Sequence, residues 1–483
     1  MATVESSVVD IESLRAALDG HLLVDGHDVA PFLVDYRRRW TGRAIGVAEP
    51  RTVAEVQAAV RWCAKHGVPI VAQGGNTGLS GGSVPDASGR ALLLSLRRLD
   101  RVRAIDAGSQ TLTVDAGVTL QRAQEVAGEA GLLLPLSLAA EGSCTIGGNL
   151  ATNAGGTQVL RFGNARDLCL GLEVVTPAGE LWDGLRSLRK DNTGYDLRDL
   201  YIGSEGTLGI ITGAVLKLSP QPRAKLAALV AVPDPAAALA LLGLAQSQLG
   251  SMLTAFELIS DTCLSLVLRH VPGTRAPLEP RPPWMLLLEL SSSTDEAAAQ
   301  SALEGLLGEA LEREYCSDAV VSGSGAQFEA FWSLREHISD AQASEGATIK
   351  HDISMPVSAV PAFIESMGAE LARDYPTLQQ VVFGHLGDGN LHYNLSPPAD
   401  GSLDKAAFLA LEPALNRRVH DAVAARRGSI SAEHGLGVLR AAEAARYKSP
   451  VELELLRAVK RALDPRGLLN PGKVFAEAGD AVQ

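Results

Sequence analysis

Two histidine-bearing segments mark where chemistry could sit in this chain. VVFGHLGDGNLHYNLS carries His385 and His392, and GSISAEHGLG carries Glu433 and His434. In NLHYNL, strand alternation puts Asn390, His392 and Asn394 on one face and Leu391, Tyr393 and Leu395 on the other. His392 and Asn394 can then project together, with an apolar face packed behind them. His385, placed before a Gly-Asp-Gly turn, can fold back toward His392. Two imidazoles and one carboxylate with open positions form a ligand set for a catalytic divalent metal. The spacing of the two histidines matches no established metal motif, so ordinary structural histidines stand as the other reading. Asp388, between two glycines, reads as the cap of a tight turn rather than a fourth ligand.

Three glycine loops offer a second kind of chemistry. QGGNTGLSGGS (Gln73–Ser83) follows a short strand and exposes consecutive backbone N–H groups, the construction of a nest for a pyrophosphate. It is neither GxGxxG nor GxxxxGK[ST], so neither a Rossmann site nor a P-loop is indicated. GSCTIGGNLATNAGG (Gly142–Gly156) joins glycine pairs to Thr145, Asn149, Thr152 and Asn153, short side chains able to bond polar ring edges. KDNTGYDLRDLYIGSEGTLGIIT (Lys190–Thr212) ends in a strand. Each alone could be a structural turn; three together point to a large ligand containing a polyphosphate.

The elements that must position these loops are legible in the hydrophobic period. Val53, Val56, Val60 and Ala64 recur at helical spacing before a stop at Gly67, and VPIVAQ reads as a strand running into the first loop. ALLLSL and TLTVDAG read as further strands, and VTLQRAQEVAGEAG as a helix. After KLSPQPRAK, Ala/Leu-rich helices (Ala236 to Leu249, Ala297 to Leu311) alternate with strands such as WMLLLEL and QQVVFGHL. The fold class is α+β, with domains at residues 1–220 and 221–430 and a small, mainly helical segment at 431–483.

Length and charge narrow the function. The 483 residues, with 46% hydrophobic and 20% charged, exclude wholesale disorder. A formal net charge of −13 argues against a general nucleic-acid binder. Five scattered cysteines without a CxxC pair suit a reduced interior and cannot ligate an iron–sulfur cluster at these spacings. The N-terminus lacks the basic and apolar regions of a leader, and no stretch is apolar enough to span a membrane, so a cytoplasmic protein is expected.

The motifs GGNTGLSGGSVP, CTIGGNLATNAGG, RKDNTGYDL, YIGSEGTLGIIT, GHLGDGNLHYN and SAEHGLG, in this order, resemble the vanillyl-alcohol-oxidase type flavoproteins. Within them, the chain is similar to the D-2-hydroxyglutarate dehydrogenase branch, related to D-lactate and glycolate dehydrogenases. The resemblance runs from about Pro50 to Lys473. It implies a two-subdomain FAD-binding domain, a substrate (cap) domain and non-covalent FAD. Gly74, Gly75, Asn76, Thr77, Gly78, Gly81, Gly82 and Ser83 would hold the pyrophosphate. Gly142, Thr145, Gly148 and Asn153 would line the flavin and ribityl region, Glu205, Gly209 and Ile210 the adenine side, and Asn470 would lie near the ring.

The resemblance also implies zinc on His385, His392 and Glu433, with His434 as general base and substrate contact. Arg335, Ser339, Lys350 and Asn394 would bind the 2-hydroxy acid; Ser339 departs from the family's Thr but keeps a hydroxyl. Arg335 and Ser339, at i and i+4, are expected to share a helix face. The expected reaction is oxidation of a D-2-hydroxy acid, D-2-hydroxyglutarate first and D-lactate or glycolate as the alternative. Electrons would leave to an external acceptor, an electron-transfer flavoprotein or a quinone, and a homodimer is one expectation for the assembly. A transferase or reductase on the same scaffold, or a silent FAD-binding subunit, would have no use for this histidine, glutamate and arginine set.

Overall fold

The helical spacing that starts at Val53 becomes the helix Val53–His66. Thr52 closes a capping box with Glu55: the Thr52 hydroxyl accepts the Glu55 N–H, and the Glu55 carboxylate accepts the Thr52 N–H. Gly67, at φ 69°, ends it in the left-handed conformation. The computed structural model describes residues 11–475 apart from Gly20 and Thr294, so the start of the N-terminal stretch read for a leader lies outside the described residues.

The chain divides into two units. The first takes the described residues up to 154, then 164–220 and those from 433 on; the second takes 155–163 and 221–432. The mainly helical C-terminal segment (Ala441–Tyr447, Pro450–Leu463) thus groups with the first unit.

The first unit holds two larger sheets and a two-stranded pair, Leu132–Leu133 with Ser219–Pro220. One runs Leu22–Leu23, Ala44–Ala48, Ala91–Ser95, Ile70–Gln73, with its last three strands parallel. The C-terminal segment returns to its edge: Ile70 N–H donates to Leu468 O and Asn470 N–H to Ile70 O. The other sheet is antiparallel: Val102–Asp106, Thr111–Asp115, Ile210–Lys217, Cys169–Val175, Leu181–Gly184. Its buried Asp115 and Glu173 are neutralised by Arg103, which bonds both, so these carboxylates are structural.

The second unit is built on a seven-stranded antiparallel sheet in the order Asp318–Val321, Ala224–Val232, Trp284–Ser292, Leu253–Ser260, Gln379–His385, Asn390–Ser396, Asp352–Ser354. Both faces are covered, so central strands such as Ala224–Val232 are apolar nearly throughout. Leu391, Tyr393 and Leu395 enter the larger core with the helices Pro235–Leu249, Glu296–Glu312 and Val360–Asp374, as the alternation requires. Phe383 enters the opposite core with the helices Asp261–His270 and Gly325–Glu336. All five cysteines are free and buried.

Candidate active site

In the first unit the three glycine loops converge on one cleft of about 940 Å³, open to solvent. Backbone crowding requires the glycines: a Cβ on Gly75 would stand 2.0 Å from Ser143 O, and one on Gly74 would stand 2.4 Å from Thr145 Oγ1. The first and second loops therefore pack backbone against backbone. Gly74, Gly75, Asn76, Thr77, Gly78, Gly82 and Ser83 line the cleft with Thr145, Gly148, Glu205, Gly209 and Ile210. The helix Ile146–Ala151 starts here with Thr145 as its cap, its hydroxyl accepting the Gly148 N–H. Clustered N–H donors and short polar side chains fit a dinucleotide with a pyrophosphate.

Four residues of the expected FAD set do not line this cleft. Gly81 packs on Trp40, and Gly142 stands beside Gln121. The Asn153 side-chain Oδ1 accepts the Arg166 backbone N–H. Asn470 is buried and donates through Nδ2 to Gly82 O and Glu205 O, joining the first and third loops from behind.

His434 lines the same cleft, a position the sequence did not reveal. Its loop is held at several points. Glu205, at φ 52°, accepts the N–H groups of Leu436 (2.7 Å) and Gly437 (2.8 Å). Burial raises the Glu205 carboxyl above its ordinary value, and these two N–H groups offset only part of that rise. The Ser80 hydroxyl donates to His434 O and Gly435 O. Gly437, at φ 50°, passes so close to Ser80 that a Cβ would meet Ser80 O at 2.1 Å.

In the second unit the chemistry lies along one sheet face. Glu257 and His385 are directly opposed on neighbouring strands. His385 Nδ1 meets Glu257 Oε1 at 2.6 Å, and Arg335 Nε meets Glu257 Oε2 at 2.7 Å. Burial alone would push the Glu257 carboxyl up; His385 and Arg335 outweigh it and hold it well below the usual carboxylate range. The Arg335 guanidinium lies 4.7 Å over the Phe383 ring, and Phe383 stacks at 4.8 Å on His392. The His385 and His392 rings are 5.7 Å apart, edge to face. His392 turns Nδ1 toward Asp352 Oδ1 at 3.9 Å. In both imidazoles Nδ1 is thus turned to a carboxylate, the arrangement that orients Nε2 toward a metal, and the pair fits a divalent ion. Glu433 follows directly on Ala432, whose N–H donates to Asp352 O. Asp388 accepts the Asn390 N–H and closes the turn between the histidines.

Arg335 and Ser339 do not share a helix. The helix Gly325–Glu336 stops at His337, whose ring bonds back to Ser333 O, and a new helix runs Ile338–Ser344. Arg335 is buried and Ser339 exposed, which corrects the expectation of one continuous face. Lys350 is half-buried beside Ile349, which pairs with Leu395. Asn394 is buried, its Oδ1 accepting the His351 N–H and its Nδ2 donating to Gln342 Oε1. Glu257 escaped sequence reading, although a lone glutamate in the apolar run LTAFELIS was a signal of a buried carboxylate needing partners.

Comparison with known proteins gives two family matches. Residues 44–184 match the FAD binding domain family and residues 221–474 the family of FAD linked oxidases, C-terminal domain. A D-2-hydroxyglutarate dehydrogenase of Xanthomonas citri pv. viticola is 41% identical over 98% of this chain and 98% of its own. The chain belongs to the FAD-linked D-2-hydroxyglutarate dehydrogenase family. The Stutzerimonas stutzeri D-2-hydroxyglutarate dehydrogenase is 37% identical, covering 96% of this chain and 98% of its own. The fold is shared with p-cresol methylhydroxylase, at TM-score 0.74 and 16% identity over 96% of both chains. The glycine-loop cleft is therefore that of a flavoprotein oxidoreductase. No described helix is long and apolar enough to cross a membrane.

Proposed function

We propose that this flavoenzyme oxidises D-2-hydroxyglutarate to the 2-oxo acid, with D-lactate or glycolate as the competing substrates. The observation that carries a hydroxy-acid site is the Glu257 carboxylate shared by Arg335 and His385. It holds a cation suited to a substrate carboxylate and an imidazole suited to a metal on one face of one sheet. The names of the near relatives support D-2-hydroxyglutarate as the acid.

In this reading Arg335 and Lys350 pair with substrate carboxylate charge, and Ser339 and Asn394 add hydrogen bonds. His434 takes the proton of the 2-hydroxyl as general base. Bound non-covalently in the glycine-loop cleft, FAD supplies the acceptor for the hydride that leaves C2. A divalent ion held by His385, His392 and Glu433, zinc in this proposal, supplies Lewis-acid polarisation of the 2-hydroxyl. With His434 holding the proton and FAD, when bound, supplying the hydride acceptor, the oxidation would balance with a carbonyl left at C2. The five separately buried cysteines favour an external electron acceptor, an electron-transfer flavoprotein or a quinone.

The test is an anaerobic visible spectrum of the metal-replete protein before and after D-2-hydroxyglutarate, with D-lactate alongside. Faster bleaching of the flavin band by D-2-hydroxyglutarate is expected. Faster bleaching by D-lactate would promote the competing substrate, and no bleaching by either acid would overturn the hydroxy-acid reading.

A further inference from the structure

We infer that Glu257 is a positioning residue that sets metal binding and substrate-carboxylate binding with a single side chain. The inference rests on the reading of His385 as a metal ligand and Arg335 as a substrate contact. Glu257 is fully buried in the strand Leu253–Ser260, and its two oxygens are divided: Oε1 to His385 Nδ1, Oε2 to Arg335 Nε. Strand register enforces the first contact, because Glu257 and His385 are paired residues on adjacent strands and their side chains rise from the same face. The second comes from the helix Gly325–Glu336, which packs on that face with Phe331 and Leu334 in the core.

Each contact fixes something the proposed chemistry needs. A carboxylate at Nδ1 holds the proton on that nitrogen, so Nε2 is presented as a lone pair to a metal. On Arg335, Nε is the only donor with a hydrogen-bond partner among the described residues, so the two Nη groups are left to a ligand carboxylate. The Phe383 ring beneath the guanidinium fixes its plane. Only a side chain with two equivalent acceptor oxygens meets both neighbours. Glutamine has one acceptor and would aim an N–H donor at the other partner, and aspartate is a methylene too short to span both.

The experiment measures zinc affinity of the FAD-loaded protein by competition with a chelating dye, alongside KM and kcat for D-2-hydroxyglutarate at saturating zinc. The variants are Glu257→Gln, Arg335→Gln and the double variant, which leaves no uncompensated buried charge and guards against a simple failure to fold. Glu257→Gln and the double variant should each weaken zinc binding about 10–100-fold while FAD content holds. Arg335→Gln should raise KM and spare zinc affinity, and Glu257→Gln should raise KM more than it lowers kcat. Wild-type zinc affinity in the folded double variant would overturn the inference while the metal reading stands. Wild-type protein that takes up no zinc would overturn that reading and the inference with it.

Discussion

Glu205 accepts the backbone N–H of Gly437 at 2.8 Å across 232 residues of sequence. With the parallel bond to Leu436, this ties the third glycine loop of the flavin cleft to the loop that carries His434. The position of the proposed base therefore depends on a carboxylate that makes no chemistry of its own.

Replacing Glu205 with Gln leaves one acceptor for two N–H groups. Flavin reduction by substrate is expected to slow by about tenfold or more, since a displaced base forfeits part of the ~100–10,000-fold that such groups contribute. FAD content should stay near wild type. Rapid-mixing absorbance under anaerobic conditions measures the rate, and an unchanged rate would remove Glu205 from the positioning of His434.

Gly437→Ala is expected to be far more damaging than an alanine on an ordinary loop. The residue sits at φ 50°, and its new Cβ would lie 2.1 Å from Ser80 O, so both strain and a backbone clash oppose it. Left-handed strain alone is worth about 1–3 kcal/mol. Thermal unfolding with and without added FAD should show a lowered Tm and weaker retention of the cofactor.

The proposed roles of His434 and His392 separate cleanly by readout. His434→Ala should keep both FAD and zinc and lose flavin reduction by substrate. His392→Ala should lose zinc, counted by elemental analysis, while FAD absorbance persists. Chelator treatment of the wild type should mimic His392→Ala and be reversed by adding zinc.

Glu289 gives a pH dependence of stability. It is buried in the strand Trp284–Ser292, and burial pushes its carboxyl up to about 7 despite the opposing charge of Lys225. The unfolded chain ionises near the ordinary 4.5, so the group's contribution is fully present below that pH. It is lost as pH rises from there through about 7, by up to roughly 3 kcal/mol. Glu289→Gln should flatten that fall, which denaturant melts at pH 5 and pH 8 would detect.

Local periodicity already determined the elements and the glycine loops. The helix Val53–His66 carries its own cap and stop, and the face of Leu391, Tyr393 and Leu395 follows from alternation in Asn390–Ser396. Both are short-range consequences of backbone geometry, so a single sequence suffices to read them. The glycine loops were legible because their residue types exclude side chains, and the structure shows the crowding that demands it at Gly75.

Only tertiary structure decided the partners. That Glu257 faces His385, 128 residues away, is a matter of strand order and register, which no local pattern encodes. The break at His337, which parts Arg335 from Ser339, comes from a ring bonding back to Ser333 O where the helical period would have continued. Residues 155–163 likewise join the second unit through Arg161, whose guanidinium bonds Ser291 and lies near Thr254. Spacing along a chain fixes which way a side chain leaves its element; what it meets there depends on burial and on the charges that long-range packing brings beside it.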